Sequence, residues 1–164
     1  MTEQQDEKRP WIDDLEIENA QIKWAFSHFD GREDTFNTEG DHNFTVIIED
    51  EQEANRLIAE GWNIRRMDPR EEGDPFEYLL KVKISYRFAP PPIFFLKGER
   101  RYRADEADLV EIQRATCEQI DVIISPNPWV HGRERGVSAY VKEMYVKIKE
   151  SRFAARYADY EEVK

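Results

Sequence analysis

Residues 76–88, FEYLLKVKISYRF, alternate without a break. Phe76, Tyr78, Leu80, Val82, Ile84, Tyr86 and Phe88 fall on one side; Lys81, Lys83, Ser85 and Arg87 fall on the other. A period of two is the mark of a β-strand with one buried face. A one-residue slip would put every apolar side chain in water, so the register is strongly constrained. A chain built around such a segment needs neighbours for its backbone and a cover for its apolar face. The even-numbered face reads as core rather than as an exposed platform.

Shorter segments repeat the pattern. Ile22, Trp24 and Phe26 alternate with Lys23 and Ala25, and NFTVII, WNIRRM, IFFL and IDVII read as further strands. Trp24 and Trp62 are expected in the core. FDGREDTFNTEGDHN, with Gly31, Gly40 and Asn37, reads as a long loop, and DPREEGDP as a turn-rich one. Two short helices interrupt the strands. Asp50 caps the first, with Glu53 three residues on as in a capping box, and Gly61 stops it. Asp105 caps the second, which turns Leu109 and Ile112 inward. Prolines in APPP end the long strand, because proline has no N–H for the ladder. Residues 1–14 read as a flexible acidic leader, 15–150 as the folded domain, and 151–164 as a tail or short helix. The pieces are many, short and without βαβ alternation. That predicts a mainly β protein, an OB-like antiparallel β-barrel with two short inserted helices.

The last strand breaks its own alternation. In GVSAYVKEMYVKIKE, residues 136–150, the apolar set runs Val137, Ala139, Val141 and then shifts to Met144, Val146, Ile148. A regular strand cannot keep both sets inside. One extra residue near Lys142–Glu143, a β-bulge, repairs the register. The opposite face then collects Tyr140, Lys142, Tyr145, Lys147 and Lys149. Aromatic rings beside ammonium groups suit unpaired nucleic acid: a ring stacks on a base for ~1–3 kcal/mol, and lysines meet phosphates and release counterions. Lys81, Lys83 and Arg87 extend such a track if their strand lies nearby. KGERRYR adds Arg100, Arg101, Tyr102 and Arg103, and the loop SPNPWVHGRERG adds an exposed Trp129 with Arg133 and Arg135. The plainer reading is a solvated strand whose lysines deter aggregation.

Charge sharpens the contrast. The 164 residues carry a formal net charge of -11, which excludes a uniformly basic polyanion binder. Acid concentrates in residues 1–18, 30–41 and 49–60, whereas base concentrates in the second half, on strands. A local patch decides where a polyanion docks. No apolar run approaches the ~20 residues of a membrane span, and the polar start is no secretory signal. The single Cys117 excludes an internal disulfide and points to a reducing, cytoplasmic setting. His28, His42 and His131 are too scattered for a zinc site. Phosphate-loop and nucleophile-elbow motifs are absent. Acid-x-Lys pairs of the nuclease type occur only at the ends, Asp6/Lys8 and Glu162/Lys164. The chain therefore reads as a non-enzyme without cofactor or metal.

Four stretches taken together resemble a family of bacteriophage single-stranded DNA-binding proteins: FSHFDGREDTFNTEGDHNFTVII, EGWNIRRMDPREEGDPFEYLLKVKISY, IDVIISPNPWVHGRERGVSAYVKEMYVKI and the tail YADYEE. EGDHNF, EGWNI, PREEGD and GVSAYVKEMYV are the most specific pieces. The resemblance covers about residues 15–162. It implies an OB-like fold and single-stranded DNA binding in phage replication or recombination, inside a bacterial host. Tyr140, Lys142 and Tyr145, with Trp129 and Arg133, are the positions carried over. SPNPWVHG departs from the pattern, and the tail lacks the long acidic run that many single-strand binders use to recruit partners. The acidic leader either takes that role or shields the site. Phage or host replication and recombination proteins are the further partners implied, and oligomeric state is left open. The rival reading is a phage interaction module that inhibits or recruits a host protein through its acidic surface.

Overall fold

The computed structural model describes residues 11–87, 89–157 and 159–161. Most of the leader and Phe88 lie outside that range. Among the described residues, nine strands form one mixed sheet: β1 (Leu15–Ile17), β2 (Gln21–Lys23), β3 (His42–Ile48), β4 (Ile64–Met67), β5 (Glu77–Ile84), β6 (Ile93–Lys97), β7 (Arg100–Arg103), β8 (Cys117–His131) and β9 (Glu134–Ile148). Helix α1 (Glu51–Glu60) joins β3 to β4, a 3-10 helix (Glu106–Arg114) joins β7 to β8, and α2 (Arg152–Arg156) follows β9.

The neighbour order runs β1-β8-β9-β5-β3-β2, with β4 on β5 and the β6–β7 hairpin on β9. β9 is the organising strand. One of its edges is paired antiparallel with β8 along nearly its whole length. Its other edge takes two parallel neighbours in turn, β5 at Ala139–Tyr140 and β6 at Met144–Ile148. The sheet is therefore mixed and does not close into a barrel. The mainly β expectation holds; the closed antiparallel barrel does not. Two β9 neighbours run along its own direction, which period-two patterning cannot reveal, since alternation is the same either way, and the sheet stays open because β1 and β2, at the two ends of the path, do not pair with each other.

The core lies on one face. Tyr78, Leu80, Val82 and Ile84 of β5 meet Phe44, Val46 and Ile48 of β3, the six apolar residues of β9, and Ile120, Val122 and Ile124 of β8. Each such burial contributes ~1.5–3 kcal/mol before entropy is counted. α1 adds Ala54 and Leu57; the 3-10 helix adds Leu109 and Ile112. Asp50 caps α1 by accepting from the Gln52 N–H at 2.9 Å. Glu53 does not complete a capping box: it pairs with Arg56 at 2.5 Å, which lowers the Glu53 carboxyl pKa. The reciprocal box forms at the second helix instead, between Asp105 and Asp108. Gly61 ends α1 with a φ of 99°, a conformation open to glycine at little cost.

Three sequence expectations are corrected. β5 stops at Ile84: Ser85 and Tyr86 leave the ladder and the chain bends at Arg87. Trp62 is buried as expected, but Trp24 is half exposed. Trp24, Ala25 and Phe26 all have positive φ, so the chain turns left-handed after β2, and only Phe26 re-enters the core beside Phe29 and Phe44. Finally, SPNPWVHGRERG is no loop. It forms the distal half of the β8–β9 hairpin, closed by a two-residue turn at Gly132–Arg133 with Gly132 at φ 63°. Pro126 and Pro128 are tolerated there because β1 covers the far edge of β8 only up to Ile124.

Candidate nucleic-acid interface

β9 carries the expected bulge. Ile124 pairs with Val141 and Ile123 with Glu143, which leaves Lys142 as the extra residue. Val137, Ala139 and Val141 before it, and Met144, Val146 and Ile148 after it, all stay buried. Tyr140 and Tyr145 are half-buried on the opposite face, and Lys142 and Lys147 are exposed there. The rings and ammonium groups thus share one side of the sheet.

Neighbouring strands widen this face. Lys83 of β5 sits beside Tyr140 in the parallel register, with Lys81 two residues along. Beyond β5, Arg87 lines a shallow cavity of about 340 Å³ together with Lys83, Ser85 and Tyr140, with the acids Asp41 and Glu106 on its other wall. On the other half of β9, Phe94 of β6 pairs with Tyr145. Their rings stack at 5.3 Å between centroids and 19° between planes. The Arg101 guanidinium lies 4.9 Å above the Phe94 ring. Such a cation held over an aromatic ring is attracted by the ring quadrupole. Arg103 shares this face by its register opposite Phe94 and donates to the Pro90 carbonyl at 3.0 Å.

The hairpin continues the row. Trp129 is paired with Gly136, and a Cβ on Gly136 would come within 2.7 Å of the indole. The glycine thus lets the indole lie flat across the strand. By alternation Trp129 falls on the same side as Ser125 and Tyr140. At ~3.3 Å per residue, Trp129, Tyr140 and Tyr145 form three aromatic stations about 13–17 Å apart along β9.

Not every candidate joins them. Arg135 pairs with Val130, one register step from Trp129, so it falls on the opposite side. Arg133 occupies the turn itself. Arg100 alternates with Arg101 onto the other side of β7 and approaches Glu150 at 3.8 Å. Tyr102, also on that side, packs edge-on against Phe95 and donates to Glu111 at 2.7 Å. Burial, with Glu111 beside it, raises the Tyr102 phenol pKa well above its usual range. Phe94 was the residue missed by sequence reasoning. IFFL reads as one buried run, and only the β9 register shows that Phe94 points away from Ile93 and Phe95.

The cations differ in availability. Lys142 pairs with Asp14 at 2.6 Å and Lys147 with Glu118 at 3.6 Å. Donating its hydrogen bond to Asp14 raises the Lys142 pKa, so the ammonium stays charged. The Glu143 carboxylate raises the pKa of the Tyr145 phenol beside it. Among the described residues, Lys81, Lys83, Arg87, Arg101 and Arg103 make no ion pair. No group of three or more histidine, cysteine or acidic side chains could hold a metal ion among the described residues. No helix there is long and apolar enough to cross a membrane.

An outward row of rings flanked by open cations, on a sheet buried on its other side, offers stacking faces and charge that suit an extended anionic strand with exposed bases. Residues 2–164 match the family model described as "Putative phage ssDNA-binding domain", and the chain belongs to that family. Its fold is similar to that of the single-stranded DNA-binding protein from bacteriophage Enc34. In the structure of that protein in complex with ssDNA, the TM-score is 0.53 at 14% identity, covering 85% of this chain and 89% of the Enc34 chain. The Enc34 protein alone gives a TM-score of 0.52 at 13% identity, over 85% and 83% of the two chains. Its C-terminal truncation gives 0.52 at 12%, over 84% and 87%. No curated protein matches the chain.

Proposed function

We propose that this protein binds single-stranded DNA on the outer face of β9 and its neighbours, without strong sequence preference, during phage replication or recombination in the bacterial host. The supporting observation is the co-facial row of Tyr140, Lys142, Tyr145 and Lys147, set beside Lys81 and Lys83 on one flank and Phe94 and Arg101 on the other. Trp129 extends the row and Arg133 stands at its end. Bases stack on the rings whatever their identity, because every base has a π-face. Arg87 and Arg103 lie where a backbone leaving the row would pass. Arg100 and Arg135, turned to the other side, are left out of this surface.

The scaffold is read as OB-like in a loose sense, a curled sheet with a strand-binding outer face. The role needs no catalytic group or cofactor, so the protein acts as a binder and not as an enzyme. Replication or recombination proteins of phage or host are the partners such a role implies.

The test is a salt-titrated binding curve with labelled oligo-dT against duplex of the same length. Preference for the single strand, weakening as salt rises, supports the reading. The double variant Tyr140→Ala/Tyr145→Ala should lose roughly ten- to hundredfold in affinity while remaining folded. An unchanged dissociation constant in the folded variant removes β9 from the interface. Absence of any shift at low salt, with capture of a host protein instead, favours the rival interaction module.

A further inference from the structure

We infer that the Asp14 carboxylate occupies a phosphate position on the DNA face, and that a backbone phosphate of the incoming strand displaces it from Lys142. The inference rests on the single-stranded DNA reading above.

Lys142 is the bulge residue of β9, between Tyr140 and Tyr145 in the chain. A bulge re-aims the side chain that it adds, and here it adds the only cation between the two rings on that strand. The ammonium meets Asp14 Oδ2 at 2.6 Å, both as hydrogen bond and as ion pair. Asp14 is held there by backbone, not by chance of a long side chain. Leu15 begins β1 and pairs with Ile124, the β8 residue that itself faces Val141 next to the bulge. The acid is therefore fixed one residue before a strand that begins at the site. Carboxylate and phosphodiester oxygens make the same kind of charge-assisted contact with an ammonium. Both partners are well exposed, at 58% and 34%, so the pair is screened by solvent and can be broken.

This divides the cations of the face into two sets. Lys81 and Lys83 on β5 are open and take the first phosphates. Lys142 is covered by the chain's own carboxylate and joins only by exchange. The free protein thereby hides the centre of its site, and it does so most effectively at low salt, where the pair is strongest. A protein with a charge of -11 already discourages stray polyanions; Asp14 applies the same check within the binding face itself.

Asp14→Asn tests the exchange, with Asp13→Asn as a charge-matched control. Asp13 is adjacent, but its carboxylate accepts from the Trp11 indole rather than from Lys142. Oligo-dT binding is measured by fluorescence anisotropy from 50 to 200 mM salt in wild type, both variants, Lys142→Gln and the Asp14→Asn/Lys142→Gln double variant. Asp14→Asn should bind about two- to fivefold more tightly at the low-salt end, the fold-change of losing one exposed competing pair. Its slope of log affinity on log salt should steepen by at most about 0.7, the increment of one single-strand phosphate contact. Asp13→Asn should change affinity less, and Asp14→Asn should have almost no effect once Lys142 is glutamine.

Equal gains from Asp13→Asn and Asp14→Asn would reduce the effect to general repulsion and overturn the exchange. So would an Asp14→Asn gain that survives in the Lys142→Gln background, or no gain at all. Failure of the wild-type chain to bind oligo-dT is a different result, and it removes the underlying reading as well.

Discussion

The Tyr86 hydroxyl is buried and has no hydrogen-bond partner among the described residues. Its ring packs edge-on against His42, 5.2 Å away. Burial, with Glu106 and its acidic neighbours nearby, pushes the phenol up to about 12. A raised folded-state pKa means that the neutral form stabilises the fold, fully so below the unfolded value near 10 and less as pH climbs toward 12. Thermal melts should therefore show stability falling across that alkaline window. Tyr86→Phe should remove part of the fall and leave stability at neutral pH equal or slightly higher, since an unpaired buried hydroxyl is lost. A large drop in melting temperature at pH 7 would show that the hydroxyl has a partner after all. Phe94 sets the second residue-level expectation. Phe94→Ala removes the ring between Tyr145 and Arg101. Oligo-dT affinity should fall roughly ten- to hundredfold if that ring stacks on a base, with far-UV circular dichroism unchanged.

At the scale of elements, the bulge invites a direct trial. Without Lys142, Val141, Glu143 and Met144 would alternate in regular register, and Ile124–Val141 and Ile123–Glu143 would become consecutive ladder pairs. Deletion of Lys142 should therefore keep a cooperative unfolding transition and a buried Met144, yet weaken DNA binding, because the charge between the rings is gone. Loss of the folded state would show that the bulge's local twist is required by β5 or β6. The hairpin arm makes the complementary case. Residues 127–135 are exposed on every side chain, so Trp129→Ala should leave the melting temperature nearly unchanged. A change confined to DNA affinity is expected; a change in neither quantity removes the arm from the interface.

Across the whole molecule, acids crowd up to the edge of the outer face and stand among its cations. Asp30, Glu33, Glu39 and Glu106 line a cavity of about 520 Å³ beside the loop after β2, and Glu106, with Asp41, also borders the cavity of Lys83 and Arg87 at the edge of the outer face. Long-range repulsion thus opposes the strand until its phosphates reach that face. Five open cations, Lys81, Lys83, Arg87, Arg101 and Arg103, at ~0.7 per single-strand contact, correspond to a salt slope near −3.5. Affinity should then fall by about a hundredfold between 50 and 200 mM salt. A flat response would mean that stacking alone holds the strand.

The sequence by itself determined which side of each long strand is buried, because one misplaced step would put a whole apolar row in water. That constraint reaches as far as the bulge at Lys142, which two apolar half-rows demand before any partner strand is known. It could not determine strand direction, since parallel and antiparallel neighbours accept the same alternation. For that reason the open mixed sheet, the placing of Lys83 beside Tyr140 and of Phe94 on Tyr145, and the strand form of SPNPWVHGRERG were all decided by tertiary structure. The Asp14–Lys142 contact belongs there too: 128 residues separate the partners, and only the pairing of β1 with β8 brings them together.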